Sequence, residues 1–253
     1  MSSRRISSYR PPAALTESDL SMPRRKPRSL SSSVVFRAAA IVRKTGLEPL
    51  LLRCMLKMAW LGWRIAYEIS SIRLGAEFET ATRGITDDLL RRTVPPNGTV
   101  LDLGCGAGRL SRMAAPYSGT VYGVDTLASN IERARSLGVP PNVQYVCADG
   151  REVLAQRVYD VVLLVHVLEH IDAPDELLRS LRERAKILIV EVPNFEADPL
   201  NSVRVALGSP FFADADHVRE YTPQILRAQL ERNGLRVTEL FVTGASIVAV
   251  AAA

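Results

Sequence analysis

The run Val100-Leu-Asp-Leu-Gly-Cys-Gly-Ala-Gly-Arg-Leu110, followed by Val121-Tyr-Gly-Val-Asp125, constrains this chain more than any other feature. It joins a buried strand, Thr99 to Leu103, to a glycine turn and then a helix. Glycines let backbone approach a ligand without a Cβ clash, and a helix beginning there turns its unpaired N–H groups toward it. Asp125 lies 19 residues beyond Gly106, at the end of the next strand, where a carboxylate can accept both hydroxyls of a ribose. The combination predicts a nucleoside site on an α/β sheet.

The glycines read G-x-G-x-G (Gly104, Gly106, Gly108), and Arg109 stands where a dinucleotide fold places its third glycine, so the spacing disfavours NAD or FAD. Here the chain resembles the class I S-adenosylmethionine (SAM)-dependent methyltransferases, whose first motif looks like LDLGCGAG and whose ribose-binding acid sits where Asp125 does. The resemblance covers roughly Leu89 to Ala253. It implies a Rossmann-like, doubly wound seven-stranded sheet whose last strand is antiparallel, and SAM as cofactor. It implies cofactor contacts from Asp102, Gly104, Cys105, Gly106, Asp125, Thr126, Asp149 and Gly150. Asp149, in Cys147-Ala-Asp-Gly150, would meet the adenine amino group; the other reading makes it the N-cap of the helix beginning near Arg151. Asp102 would lie near the methionine ammonium, or else hold the glycine turn as a buried carboxylate. Cys105 reads as a small packing residue rather than a nucleophile.

Apolar runs alternating with helical stretches support the same architecture. Strands are expected at 99–103, 120–124, 143–147, 159–165, 186–192, 236–242 and 247–250, the last two joined by Thr243-Gly-Ala-Ser246 as a hairpin. Thr222 and Pro223 mark a helix start, with Asn233-Gly234 as its C-cap. The connection from Asn194 to Thr222 is long for a βα loop. Its Phe195, Phe211, Phe212 and Tyr221 suggest either a lid over an apolar acceptor or an insertion whose aromatics bury against the sheet.

Methyl transfer needs no nucleophilic residue, because the sulfonium is already an activated electrophile. Alignment of the acceptor can supply about 7–11 kcal/mol. A hydroxyl acceptor must also lose a proton, and His is the natural base near neutral pH. The chain's three histidines follow the cofactor motifs: His166 and His170 in Val165-His-Val-Leu-Glu-His-Ile171, and His217 in Asp214-Ala-Asp-His-Val-Arg219. We therefore read His166, His170 and His217 as the catalytic candidates. On a helix, His166, Glu169 and His170 would share one face. The segment resembles the E-x-x-E-H motif of ubiquinone-biosynthesis O-methyltransferases and of small-RNA 3′-end 2′-O-methyltransferases, in which the cluster can hold a divalent metal and, in the RNA enzymes, a later His joins it. His166 replaces the first Glu here, which moves the set from hard oxygen toward nitrogen ligands and disfavours Mg²⁺. The preferred reading is metal-independent, with Glu169 and His170 hydrogen-bonding the loops around the pocket; a bound metal and plain core packing are the alternatives.

The net charge of +5 is concentrated at the front: residues 1–44 carry ten basic and two acidic side chains, a net of +8, which leaves −3 for the rest of the 253 residues. The body is thus not a nucleic-acid binder by charge. Residues 1–33, rich in Ser, Arg and Pro, read as a disordered basic tail, with an organelle-targeting peptide as the other possibility. Residues 34–88 form a helical extension and 89–253 the methyltransferase domain. Within the extension, Leu47 to Leu74 is amphipathic, with Arg53, Lys57, Arg64 and Glu68 within about 60° of one another. Its charges forbid a membrane span; it packs on the core or caps the substrate pocket, or else lies on an anionic membrane surface. Three cysteines at unrelated spacings fit a reducing compartment, hence a cytoplasmic protein, with peripheral membrane contact left open. The expected activity is methyl transfer to a small-molecule or lipid-linked acceptor, at oxygen. An RNA methyltransferase and a nucleoside-binding scaffold without catalysis are the rivals.

Overall fold

The structure, a computed structural model, describes residues 37, 40–43, 45–74, 84–208 and 216–253. The expected tail at 1–33 and the proposed lid residues Phe211 and Phe212 lie outside them.

Seven strands form one sheet in the order β3-β2-β1-β4-β5-β7-β6: β1 (Thr99–Leu103), β2 (Thr120–Asp125), β3 (Val143–Cys147), β4 (Tyr159–Val165), β5 (Ala185–Pro193), β6 (Arg236–Thr243) and β7 (Ser246–Ala252). The first five run parallel, and β7 is antiparallel to both β5 and β6. The expected strands thus agree with the observed ones to within two residues at either end, and the hairpin turns at Gly244-Ala245. Both faces of the parallel strands are covered, which is why they read as continuous apolar runs rather than alternating ones. Along β4, Val162 and Leu164 enter one core with Val153, Leu177, Leu178, Leu181, Leu226 and Leu230. Val161 and Leu163 enter the other, with Leu89, Leu90, Leu110, Ile131 and Ala134.

The first core is closed by α5 (Gly150–Ala155), α6 (Pro174–Arg184) and α8 (Pro223–Arg232), the second by α2 (Asp87–Thr93), α3 (Arg109–Ala114) and α4 (Ala128–Ser136). Helix α8 starts where Thr222 accepts from the Ile225 N–H with Pro223 in the first turn, as its sequence indicates. Sheet and helices form a unit made of Thr82–Asp198 and Phe212–Ala253. A smaller unit comprises residues up to Ala81 together with Pro199–Phe211. Its principal described helices are α1 (Glu48–Leu74) and α7 (Leu200–Ala206), which contact each other. The long connection after β5 thus contains a helix of its own, while Tyr221 at its far end is 1% exposed and donates to Gln229 at 2.8 Å. Tyr221 therefore packs as core.

Candidate active site

Strand order reverses between β1 and β4, and ligands of open parallel sheets settle outside the carboxyl ends of the strands at such a point. A cavity of about 490 Å³ lies there, within the range that holds a cofactor-sized ligand. Gly104, Asp125, Thr126, Asp149, Gly150 and His170 line it, joined by Val167, Asp172 and Glu176. Asp102, Cys105, Gly106, His166 and His217 are not on its wall.

The glycine turn is pinned to β2, because the Gly104 and Cys105 N–H groups both donate to the Val124 carbonyl, at 2.8 and 2.9 Å. Gly104 has φ +78°, and a Cβ on it would stand 2.6 Å from Val167 Cγ2, so only glycine fits between this turn and the loop after β4. Gly106, at φ +52°, donates its N–H to Asp125 Oδ2 at 2.9 Å. The other Asp125 oxygen accepts from Leu127 N–H and Asn130 Nδ2, at 2.9 and 3.1 Å. Asp125 is therefore held rigid at the cavity wall from both sides. Asp149 accepts from the Arg151 N–H at 2.9 Å and caps α5, while its carboxylate also pairs with the Arg151 guanidinium. A cap and a cavity-lining acid are thus combined in one residue.

Behind the turn, Asp102 is 2% exposed and accepts from Ser111 Oγ at 2.6 Å. Burial pushes its carboxyl up to about 6 despite the Ser111 hydrogen bonds. Burial also drives the Cys105 thiol well up, reinforced by Asp102 and Asp125, so it is a neutral packing group rather than a thiolate.

The histidine segment departs from the helical expectation. The His166 N–H still donates to the Glu191 carbonyl at 2.9 Å, as part of the sheet ladder. Its backbone then turns through φ +53°, a left-handed conformation that breaks any continuing helix. One turn of 3₁₀ helix follows at Leu168–His170, and the next α-helix starts only at Pro174. The consequence is separation of the cluster. His166 swings between two carboxylates that are both 0% exposed, with Nδ1 3.0 Å from Glu169 and Nε2 3.5 Å from Glu191. Glu191 also accepts from the Gly84 and Ile85 N–H groups, at 3.0 and 3.1 Å. Burial alone would raise the Glu191 carboxyl, but the His166 contact, with help from Gly84 and Ser246, outweighs it and holds the group at about 2. Glu191 has no motif to announce it; a lone acid in the apolar run Ile187-Leu-Ile-Val-Glu-Val192 was the only signal.

His170 lies on the cavity side, its ring 4.8 Å from that of His217 in an edge-to-face pair. His170 Nδ1 is 3.3 Å from an Asp216 carboxylate oxygen, and His217 Nδ1 is 3.0 Å from Glu220. Glu169, His170 and His217 each offer one ligand atom, all within 4.8 Å of one another. Glu169 Oε2 is buried and, among the described residues, has no hydrogen-bond partner. One carboxylate and two imidazoles, with Glu220 behind one of them, fit a divalent metal of intermediate softness better than Mg²⁺.

Residues 78–240 match the family model described as "Methyltransferase domain". The chain belongs to that family. It is a class I SAM-dependent methyltransferase domain. Among curated relatives, the mitochondrial ubiquinone biosynthesis O-methyltransferase of Arabidopsis thaliana is 35% identical over 86 residues, 32% of this chain and 27% of that protein. The enzyme of the same name from Rickettsia akari is 32% identical over 89 residues, 34% of this chain and 36% of that protein. The chain thus spans about a third of the length of these relatives. Among solved structures, a SAM-dependent methyltransferase from Archaeoglobus fulgidus has a TM-score of 0.51 at 20% identity, covering 66% of this chain and 92% of that one. Likeness at that level speaks for the methyltransferase fold alone.

Proposed function

We propose that this methyltransferase domain moves the SAM methyl group to an oxygen of a small-molecule or lipid-linked acceptor. The observation that carries the reading is the single cavity wall shared by Asp125, Asp149 and His170, with the His170–His217 pair at its edge. Asp125 would accept the ribose hydroxyls and Asp149 the adenine amino group, with Gly104, Thr126 and Gly150 giving backbone access and Gly106 fixing Asp125 through its N–H. Asp102 and Cys105 support the turn from behind. The cofactor's sulfonium would then face the acceptor side of the cavity, where alignment is the main requirement.

An oxygen acceptor fits because two imidazoles stand ready, His170 held at Nδ1 by the backbone carbonyl and carboxylate of Asp216 and His217 at Nδ1 by the Glu220 carboxylate. His170 is the candidate to take the hydroxyl proton, with His217 beside it. His166, engaged on both ring nitrogens by Glu169 and Glu191, serves as an orienting group rather than the base. Glu169, His170 and His217 are the residues that would hold a divalent metal, which when bound would favour the ionised acceptor oxygen. The ubiquinone-biosynthesis relatives, O-methyltransferases by name, support oxygen as the attacking atom. The free cysteines Cys54, Cys105 and Cys147 support a cytoplasmic setting.

Titration calorimetry with SAM tests the cofactor half. Asp125→Ala is expected to weaken SAM binding roughly 10–100-fold, the effect of losing hydrogen bonds to a charged acceptor. The acceptor half is tested by turnover on a panel of phenols and catechols. His170→Ala should lower kcat by about 10²–10⁴-fold while leaving SAM affinity intact. SAM binding without turnover on any acceptor would assign the domain to a nucleoside-binding scaffold instead.

A further inference from the structure

Helix α1 has apolar side chains well beyond those it buries. Leu56 is its buried residue, and Leu56, Tyr67 and Leu74 follow one line at about 100° per residue. On the far side, Leu51, Met58, Leu61, Ile65, Ile69 and Ile72 are 41%, 65%, 53%, 51%, 60% and 85% exposed. The exposed apolar sector continues through Leu52 and Trp63, at 38% and 53%, and so spans over half of the helix circumference. A partner helix covers only a narrow seam. A face this broad suits a medium rather than a single neighbouring helix.

Charge identifies the medium. Along α1 four basic residues, Arg53, Lys57, Arg64 and Arg73, stand against two acidic ones, Glu48 and Glu68, a net of +2. Arg53, Lys57 and Arg64 share a strip about 60° wide with Glu68, opposite the apolar sector; Arg64 pairs with Glu68 at 3.2 Å and Arg53 donates to the Leu207 carbonyl at 2.6 Å, which leaves Lys57 as the outward cation of the strip. Arg37, Arg43 and Lys44 precede the helix in sequence and add to the same sign. No described helix is long and apolar enough to cross a membrane. A broad apolar face, a basic strip and too many charges to span describe a helix lying in the plane of an interface.

We infer that α1 docks this protein on an anionic lipid surface, with Leu61 and Ile65 at the acyl boundary and Lys57 toward the headgroups. Helix α1 precedes the residues matched by the methyltransferase model, 78–240, so the inference is independent of which acceptor the domain uses. The test is flotation of the full chain with vesicles of phosphatidylcholine alone or phosphatidylcholine mixed with phosphatidylglycerol. Recovery is expected with the anionic vesicles only, and it should fall in about 0.5 M salt, where screening shortens to a few ångströms. The double variant Leu61→Glu/Ile65→Glu should lose roughly tenfold in recovery or more, and Lys57→Glu a smaller, salt-dependent part. Both change exposed positions, and circular dichroism with SAM calorimetry checks that each variant folds. No recovery with either vesicle, equal recovery with both, or unchanged recovery for the double variant overturns the inference. A concentration-dependent dimer that the double variant abolishes, without flotation, assigns the face to a second copy of the chain.

Discussion

Glu191 and Asp102 are both buried carboxylates at the carboxyl edge of the sheet, yet their surroundings push them in opposite directions. Glu191 is drawn down to about 2 by His166, Gly84 and Ser246, which together outweigh its burial. Asp102 is raised to about 6 because burial dominates over the Ser111 hydrogen bonds. The linked pH dependences therefore differ in sign. A depressed carboxyl adds stability that is present above its ordinary value of 4.5 and lost as pH falls through about 2. A raised one adds stability that is present below its ordinary 3.8 and lost as pH rises through about 6. Replacing Glu191 by Gln leaves two backbone N–H donors and His166 facing a weaker acceptor, and should cost about 2–4 kcal/mol near neutral pH in urea unfolding. Asp102→Asn should instead flatten the loss of stability between about pH 4 and 6, with little penalty at pH 7.

Between elements, a few polar side chains set how helices meet across the sheet's first face. Asp175, in the first turn of α6, accepts from Gln229 Nε2 and Asn233 Nδ2, each at 2.9 Å, and pairs with Arg232 at 3.0 Å. These partners, Gln229 first, draw its carboxyl down to about 2. The group is partly exposed, so solvent screening reduces what the pairing contributes. Asp175→Ala should lower stability by about 1–2 kcal/mol at neutral pH, and the difference from the unaltered protein should vanish as pH falls from about 4 to 2. Unchanged urea midpoints at pH 7 would show that α6 and α8 are joined by apolar packing alone. Helix α8 itself was legible, because Thr222-Pro223 is a local start signal that needs no tertiary partner. The turn after β4 was not, since His166 takes its left-handed backbone while its ring is bound by Glu169 and, from a neighbouring strand, Glu191.

For the molecule as a whole, the cofactor should act as a stabiliser, because the cavity wall draws on the ends of β1 and β2 and on the segments that follow β1, β2, β3 and β4. SAM at about a hundredfold excess over its Kd should add roughly 2.7 kcal/mol. For a chain of this size that corresponds to a rise in Tm of roughly 5–10 °C, read by scanning calorimetry. At the same SAM concentration, Asp125→Ala should remove roughly half of the shift or more. The sequence by itself determined the strands, the hairpin and the glycine turn with its paired acid, because apolar period, turn chemistry and backbone access are encoded over a few adjacent residues. It also showed which side chains could carry chemistry. Only the tertiary structure decided which of them meet: His166 joins Glu191 rather than His170, Tyr221 joins the core rather than the cavity, and Glu169 approaches His170 and His217 from the turn after β4. Those partnerships depend on strand order and on one positive φ, which are set by burial across the whole sheet and leave no local pattern to read.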